Sequence, residues 1–369
     1  KEIARASGMK LLGPNCLGVI NTHKNLNATF AEGMPPSGRI SFFSQSGALG
    51  VAILDWALKN NLGFSKFISL GNKADLNEID FIEYFMEDPQ TDVILGYIED
   101  VVDGQRFIKV ASRCTKKKPI ILIKSGSTGA GARAASSHTG ALAGSEAAFN
   151  AAFHQSGVIR TRGVKELFQL ARVFLSGRLP KDNSVVVITN AGGPGIIAAD
   201  EAERSGLSLR PTPEPIARKL RTILPAHASV YNPVDILGDA TSERYEKVLQ
   251  VLTKARGFST AVVILTPQAM TDVDAVAEAV VKAYKNTTKP LVTVFMGGEK
   301  VSSTTERLSK EGIPNYSYPE EAMTTVSHLV RYSQWKRTPK SKVLRFKTQR
   351  SKAKSILKEA LKSGRQTLT

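Results

Sequence analysis

The sequence predicts an α/β protein made of two doubly wound, parallel-sheet domains. Three observations carry that prediction. Short, continuously apolar runs alternate with helical stretches along most of the chain, the pattern of strands covered on both faces by crossover helices. The alternating series occurs twice, and the second copy aligns with the first without a gap. The length of 369 residues also exceeds the roughly 250–300 at which one hydrophobic core stops growing, so two or three domains are expected.

In chain order, residues 1–7 read as the end of a helix, closed by Gly8 and followed by a short strand at residues 9–12. There is no initiator Met, and this opening is how a chain looks when cut inside a larger α/β domain. The first series places strands at residues 40–43, 67–70, 93–98 and 119–123, with a helix at 49–59. Residues 179–183, Leu-Pro-Lys-Asp-Asn, are polar, contain Pro180 and mark a domain boundary. The second series places strands at 185–189, 261–265 and 291–295, with a helix at 196–205. Setting Ile40 against Val185 aligns Gly47 with Gly192, Gly50 with Gly195 and Asp55 with Asp200. Each half opens with a strand, a small-residue turn and a helix, so both domains are expected to be of flavodoxin-like size. Their expected limits are 37–180 and 181–332, with residues 1–36 ahead and a basic segment, 333–369, behind.

The net charge of +17 raises the question of a polyanion partner, but thirteen Lys/Arg and one acidic residue fall between Arg331 and Arg365. That stretch alone carries +12, and its aromatic residues are limited to Tyr332, Trp335 and Phe346, too few for a base-stacking ladder. It reads as a solvated linker and helix face, with a polyanion-binding arm as the less favoured alternative, and no nucleic-acid partner is expected. Cys16 and Cys114 are too few for a disulfide framework and fit no metal-knuckle spacing. No apolar run reaches the roughly 18 residues of a membrane span, and residues 1–8 are not a signal peptide, so the expectation is a soluble, cytoplasmic protein with no membrane partner.

Three motifs carry chemistry. Ser44-Gln45-Ser46-Gly47-Ala48 joins a strand to a helix, where first-turn N–H groups are free and the helix start bears partial positive charge. Ser44 and Ser46 add hydroxyl donors, and Gly47 and Ala48 let a phosphate approach the backbone. Asn190-Ala191-Gly192-Gly193-Pro194-Gly195 offers the same opportunity through Gly192, Gly193 and Gly195. Neither is a P-loop, since Gly-Lys-Ser/Thr is missing, and each could instead be a tight packing turn. The third motif runs from Lys124 to Gly140 and holds almost nothing large except Arg133 and His138. A histidine on such a loop has no core to sit in. Its imidazole can accept and release a phosphoryl group, so His138 is the candidate nucleophile, with Ser136, Ser137 and Thr139 as donors to the phosphate. The alternative is a surface loop with an incidental histidine. His23, His154, His227 and His328 lack a comparable setting. A phosphoryl-carrying imidazole needs a carboxylate to fix its tautomer. Glu99, at the carboxyl end of the 93–98 strand, is the first candidate, because ligands gather at that sheet edge; Asp100 and Asp103 compete.

Together these residues resemble the NDP-forming acyl-CoA synthetase family, relatives of succinyl-CoA synthetase. Ser136-Ser137-His138-Thr139-Gly140-Ala141-Leu142-Ala143-Gly144-Ser145 is similar to the family's phosphohistidine loop. Gly13-Pro14-Asn15-Cys16-Leu17-Gly18 resembles the segment that closes the CoA-binding domain, and Asn15 there is a weaker candidate for substrate binding. The two turns resemble the family's phosphate-facing helix starts, Ile98-Glu99 the strand end whose glutamate contacts the phosphohistidine, and Asn232-Pro233-Val234-Asp235-Ile236 a further family segment.

The resemblance implies two flavodoxin-like domains preceded by the remnant of a Rossmann-like CoA-binding domain in residues 1–36. It implies a ligase that converts acyl-CoA, ADP and phosphate to acid, CoA and ATP through an acyl phosphate and a phosphohistidine, with CoA as substrate. ADP/ATP and Mg²⁺ would bind an ATP-grasp domain or beta subunit outside this chain, in an oligomer, and no metal ligands are expected here. Ser355-Ile356-Leu357-Lys358-Glu359-Ala360-Leu361 resembles the start of that ATP-grasp portion. Two alternatives stay open: the synthetase-like regulatory portion of a protein acyltransferase, and a non-enzymatic CoA- or phosphate-binding module.

Overall fold

The computed structural model describes residues 2–60, 62–131, 133–134, 145–339 and 349–364. The chain divides into two units, Lys1–Lys336 and Arg337–Thr369.

The larger unit is built on two sheets. A short helix α1 (Glu2–Ala6) leads to a hairpin, β1 (Gly18–Asn21) and β2 (Leu26–Thr29). Then come β3 (Ser37–Ser44), α2 (Gly47–Lys59), β4 (Phe64–Ser69), α3 (Glu78–Glu87), β5 (Val93–Ile98), α4 (Gly104–Lys117) and β6 (Ile120–Lys124). The half closes with α5 (Glu146–Ser156), β7 (Ile159–Thr161) and α6 (Val164–Leu175). These strands form one seven-stranded sheet in the order β2-β1-β4-β3-β5-β6-β7. Read from β4 to β7, it is parallel and follows the doubly wound order 2-1-3-4-5.

The second half follows the same plan: β8 (Val185–Thr189), α7 (Gly192–Arg204), α8 (Glu214–Arg221), β9 (Val234–Asp235), α9 (Ser242–Leu252), β10 (Thr260–Leu265), α10 (Val273–Lys285), β11 (Leu291–Phe295), α11 (Glu299–Lys310) and α12 (Pro319–Arg337). Its four strands are parallel, in the order β11-β10-β8-β9, which is 2-1-3-4 without a fifth strand. In the fifth position a single parallel bridge pairs Thr293 with Asn315. The Asn315 side chain takes over part of the missing ladder, accepting from the Phe295 N–H at 3.0 Å.

Burial explains the continuously apolar runs. Successive side chains of a strand point to opposite faces, and here both faces are covered. Phe42, Val93, Leu95 and Ile121 enter one core, while Phe43, Ile94, Ile98 and Leu122 enter another on the far side. The first core continues through α6 and α12 to Val185, Val187, Val262 and Val292 of the second sheet. One face of each sheet therefore drains into a shared interior, and the second sheet's other face has its own.

Two local expectations are corrected. Residues 9–12 are not a strand. The backbone of residues 11–14 is tied instead to the loop after β4: Leu76 N–H donates to Leu11 O at 3.0 Å, Ala74 N–H to Gly13 O at 2.8 Å and Asn72 N–H to Pro14 O at 2.9 Å. Gly71 and Lys73 in that loop are left-handed, at φ 58° and 51°, so no straight neighbour exists for a ladder. The β1–β2 hairpin, antiparallel to β4, was not anticipated; its strands are only four residues each, with left-handed Asn25 (φ 48°) in the bend. The Gly13–Pro14 and Asn232–Pro233 peptides are cis.

In the smaller unit, α13 (Arg350–Lys362) leaves Ile356, Leu357 and Leu361 exposed. Among the described residues no helix is long and apolar enough to cross a membrane.

Candidate functional site

In a sheet of order 2-1-3-4-5 the chain changes direction between the first and third strands, opening a crevice at their carboxyl ends. Here that crevice lies between β3 and β5, and the Ser44–Gly47 turn borders it. The turn is set by its own side chains. Ser44 Oγ accepts from the Ser46 N–H at 3.1 Å and donates to Ser46 O at 2.7 Å. Ser46 caps α2, accepting from the Leu49 N–H at 3.3 Å, so its hydroxyl is engaged with the helix. Around Gly47 there is open space, and Ala48 is exposed, so both backbone positions at the helix start can be reached from solvent.

Gln45 ties the turn to β5. Its N–H donates to Tyr97 O at 3.1 Å, and its Oε1 accepts from the N–H groups of Glu99 and Asp100 at 2.7 and 3.1 Å. Its Nε2 donates to Asp100 O at 2.9 Å. Glu99 is thereby held beside the turn, with the Tyr97 hydroxyl 3.5 Å from Oε1. Behind it, Lys73 pairs with Asp100 and, at 3.2 Å, with the fully buried Glu78, which accepts from the Val102 N–H at 2.9 Å. On the other side, Ser125 N–H donates to Ile98 O at 3.1 Å. The buried Lys124 ammonium lies 4.5 Å from the Phe149 ring centre, and burial pushes its pKa below the usual lysine value. Burial, and secondarily the Glu99 charge, push the Tyr97 phenol up, partly opposed by a bond with Ser125. Asn15 reaches the same sheet edge: Nδ2 donates to Asn72 Oδ1 at 3.4 Å, just beyond the end of β4.

The second sheet repeats the turn. Thr189 Oγ1 accepts from the Ala191 N–H at 3.0 Å and donates to Ala191 O at 2.8 Å, as Ser44 does with Ser46. Asn190, matched to Gln45, donates from Nδ2 to Thr266 O at 2.9 Å, and its Oδ1 accepts from the Thr266 N–H at 2.8 Å. Ile236 N–H donates to Thr189 O at 2.8 Å, where Leu70 N–H meets Ser44 O at 2.7 Å. Gly192 and Gly193 are exposed, with open space around Gly193, while Gly195 is buried against Thr189 and Pro233. The two turns differ at the cap. Ala191 has no side chain to cap α7, so its first N–H groups lack the partner that Ser46 provides in α2. Asp235 Oδ2 comes within 3.5 Å of where a Cβ on Gly192 would stand.

His138, Ser136, Ser137 and Thr139 lie outside the described residues. Of the other histidines, His23 bonds Gly38 O at 3.0 Å near the amino end of β3, opposite the turn, and His328 meets Glu166 at 3.4 Å. Among the described residues no group of three or more His, Cys, Asp or Glu side chains could hold a metal ion. Gln45 and Asn190 were quoted within motifs but not read as functional. The signal was available, since the gapless alignment sets one amide on the other.

Comparison with known proteins agrees with this fold. Residues 37–174 match the succinyl-CoA ligase-like flavodoxin domain and residues 185–342 the ligase-CoA domain. The chain is 46% identical to an ADP-forming acetate–CoA ligase I of Archaeoglobus fulgidus over 366 residues, covering 98% of this chain and 52% of that protein. It therefore spans about half the length of that relative. It is 43% identical to the alpha subunit of ADP-forming acetate–CoA ligase II of Pyrococcus furiosus, covering 89% of this chain and 72% of the subunit. The solved structure of an acetyl-coenzyme A synthetase from Ca. Korarchaeum cryptofilum, in complex with phosphate and ADP, superposes with a TM-score of 0.87 at 36% identity, over 91% of this chain and 73% of that one. By sequence, domain composition and fold alike, the chain belongs to the NDP-forming acyl-CoA synthetase family, of which it represents the alpha, CoA-ligase portion.

Proposed function

We propose that this chain carries the phosphohistidine-forming part of an ADP-forming acid–CoA ligase. The observation that supports the reading best is the pair of equivalent strand–helix turns. Each presents helix-start N–H groups at its sheet's switch point, and Glu99 stands beside the first. Fixed backbone donors of this kind stabilise phosphate charge without reorganisation. A relative solved with phosphate and ADP adds to the case.

The reaction runs in three displacements. A phosphate oxygen attacks the thioester carbonyl of acyl-CoA; the C–S bond breaks and CoA thiolate leaves, giving an acyl phosphate. A ring nitrogen of His138 then attacks phosphorus, the bond from phosphorus to the acyl oxygen breaks, and the acid leaves as carboxylate. Finally a terminal oxygen of ADP takes the phosphoryl group as the P–N bond breaks, giving ATP. In this scheme the Ser46 hydroxyl and the Gly47 and Ala48 N–H groups bind phosphate at the first turn, and the Gly192 and Gly193 N–H groups at the second. The Ser44 hydroxyl, expected as a donor, is spent on Ser46 O and shapes the turn. The buried Gly195, whose N–H donates to Ala191 O at 3.3 Å, lets the helix pack closely on Thr189 and Pro233. Glu99 holds the imidazole in the tautomer that leaves one nitrogen free to attack. Asn15 contacts the acyl substrate. ADP and its Mg²⁺ belong to a partner domain or subunit of ATP-grasp type, which the alpha-subunit names of relatives support, and the assembly is an oligomer in the cytoplasm. The described residues offer no ligand set for that metal.

The test is labelling of the chain assembled with its nucleotide-binding partner. Incubation with [γ-³²P]ATP, or with acetyl phosphate labelled in the phosphoryl group, should put acid-labile, base-stable label on His138. The His138→Ala variant should take up none. Label that persists on the variant ends the proposal.

A further inference from the structure

We infer that Gln45 is a positioning residue for phosphoryl transfer, acting through Glu99. The inference rests on the function proposed above. Its warrant is the geometry of the β3–β5 crevice. The Gln45 side chain meets both N–H groups that follow β5 through Oε1 and the Asp100 carbonyl through Nε2. A main-chain N–H takes a single direction, so fixing it at 2.7 Å fixes the Glu99 Cα and the origin of the carboxylate. Among the described residues, apart from the weak approach of the Tyr97 hydroxyl at 3.5 Å, the hydrogen bonds that hold Glu99 run through this amide. Both polar ends of the Gln45 side chain bond backbone, Oε1 to two N–H groups and Nε2 to a carbonyl.

The second sheet shows what the clamp does without the carboxylate. Asn190 grips the residue after β10 in the same way, with Oδ1 on the Thr266 N–H and Nδ2 on the Thr266 carbonyl. The position it fixes carries a neutral hydroxyl, which itself bonds back to Asn190 Oδ1 at 3.1 Å. The longer glutamine reaches one residue further, to Asp100, and leaves the Glu99 side chain free of the clamp. A shared device with different cargo separates fold maintenance from positioning: both amides hold their sheets' crevices, and Gln45 alone also sets a carboxylate.

The experiment uses the chain assembled with its nucleotide-binding partner and follows label uptake from acetyl phosphate by Gln45→Met, Glu99→Gln and the double variant. Methionine keeps length and volume and removes the side-chain bonds. Gln45→Met should lower the maximal rate of His138 labelling by roughly 100-fold, the scale of an ångström's misplacement, with little change in the acetyl phosphate concentration giving half that rate. In the Glu99→Gln background the same substitution should cost less than about threefold, because the group it positions is gone. Gln45→Glu, which keeps the acceptor and loses the donor, should fall between parent and Gln45→Met; it also carries the test if the methionine variant does not fold. Equal losses from the Gln45 substitution in both backgrounds, a loss confined to the half-saturating concentration, or no loss in a folded protein would overturn the inference. If His138→Ala keeps its label, the proposed function fails as well; if it loses label while Gln45→Met does not, only the role of Gln45 fails.

Discussion

In the first half of the larger unit an amide on a strand–helix turn grips a segment that carries Glu99, and a serine caps the helix that follows. In the second half a matched amide grips a segment that carries Thr266, and the helix starts at an alanine with no cap. The contrast extends inward. Among the described residues the buried charged side chains, Lys66, Glu78, Asp88 and Lys124, all lie in the first half, while the buried polar side chains of the second half, Asn190, Thr260, Thr293 and Thr304 among them, are neutral. The fold thus supplies the same strand–helix turn twice, as a consequence of strand order, while among the described residues buried charge is confined to the first half.

The largest effect expected from that asymmetry is kinetic. Glu99→Gln should slow His138 labelling by roughly 10²–10⁴-fold, the span of acid–base and tautomer effects, whereas Thr266→Val should change it less than about threefold. Comparable losses at both positions would break the contrast between the armed and the plain turn.

A stability difference comes next. Lys66 Nζ sits 2.6 Å from Asp88 Oδ2 with the two side chains 4% and 7% exposed. Asp88→Ala should cost about 3–5 kcal/mol in denaturant melts, since it strands a buried ammonium. The pH dependence has a definite sign. Burial pushes the Asp88 carboxyl up, but the Lys66 ammonium, the Thr91 hydroxyl and the Gln90 N–H outweigh it and hold it below the ordinary carboxylate value. The stability it contributes is therefore complete above about pH 4 and disappears as acid titrates it through its lowered pKa. The gap between parent and variant should close below about pH 4. A gap that stays constant there would mean the pair is not ionised.

The smallest effect sharpens the comparison at one atom. A methyl on Gly50 would stand 2.7 Å from the ring of Phe67, fully buried and stacked on Phe42; at the matched Gly195 it would stand 3.1 Å from a Thr189 methyl. Gly50→Ala should destabilise by about 1–3 kcal/mol. Gly195→Ala should come near zero, because helix propensity returns about 1 kcal/mol against a milder crowding. Thermal melts of the two variants side by side measure the difference.

The strands most exposed to reading were those buried on both faces. Residues 93–98 and 185–189 have no amphipathic alternation to confuse and match β5 and β8 end for end. Residues 9–12 look like such a strand, but a ladder needs a straight partner, and the left-handed Gly71 and Lys73 remove it. The hairpin at Gly18–Asn21 and Leu26–Thr29 escaped because each strand is only four residues long, too short for a periodic signal. Within the candidate site, Ser44, Gly47, Gly192 and Glu99 were legible from small-residue turns and a strand end. The Lys73–Asp100–Glu78 network was not, since residues 73, 78 and 100 share no pattern along the chain.

By itself the sequence determined the α/β class, the duplication and the two helix-start turns, because burial on both faces and strand-to-helix reversal leave their mark within a few neighbouring residues. Tertiary structure alone decided which backbone groups the Gln45 and Asn190 amides grip, that the two sheets share one interior, and that charge is buried in only one half. Those outcomes depend on groups that become neighbours only after the sheets have wound, and the energy of a hydrogen bond or a buried ion pair is fixed by the distance and solvent at that final contact.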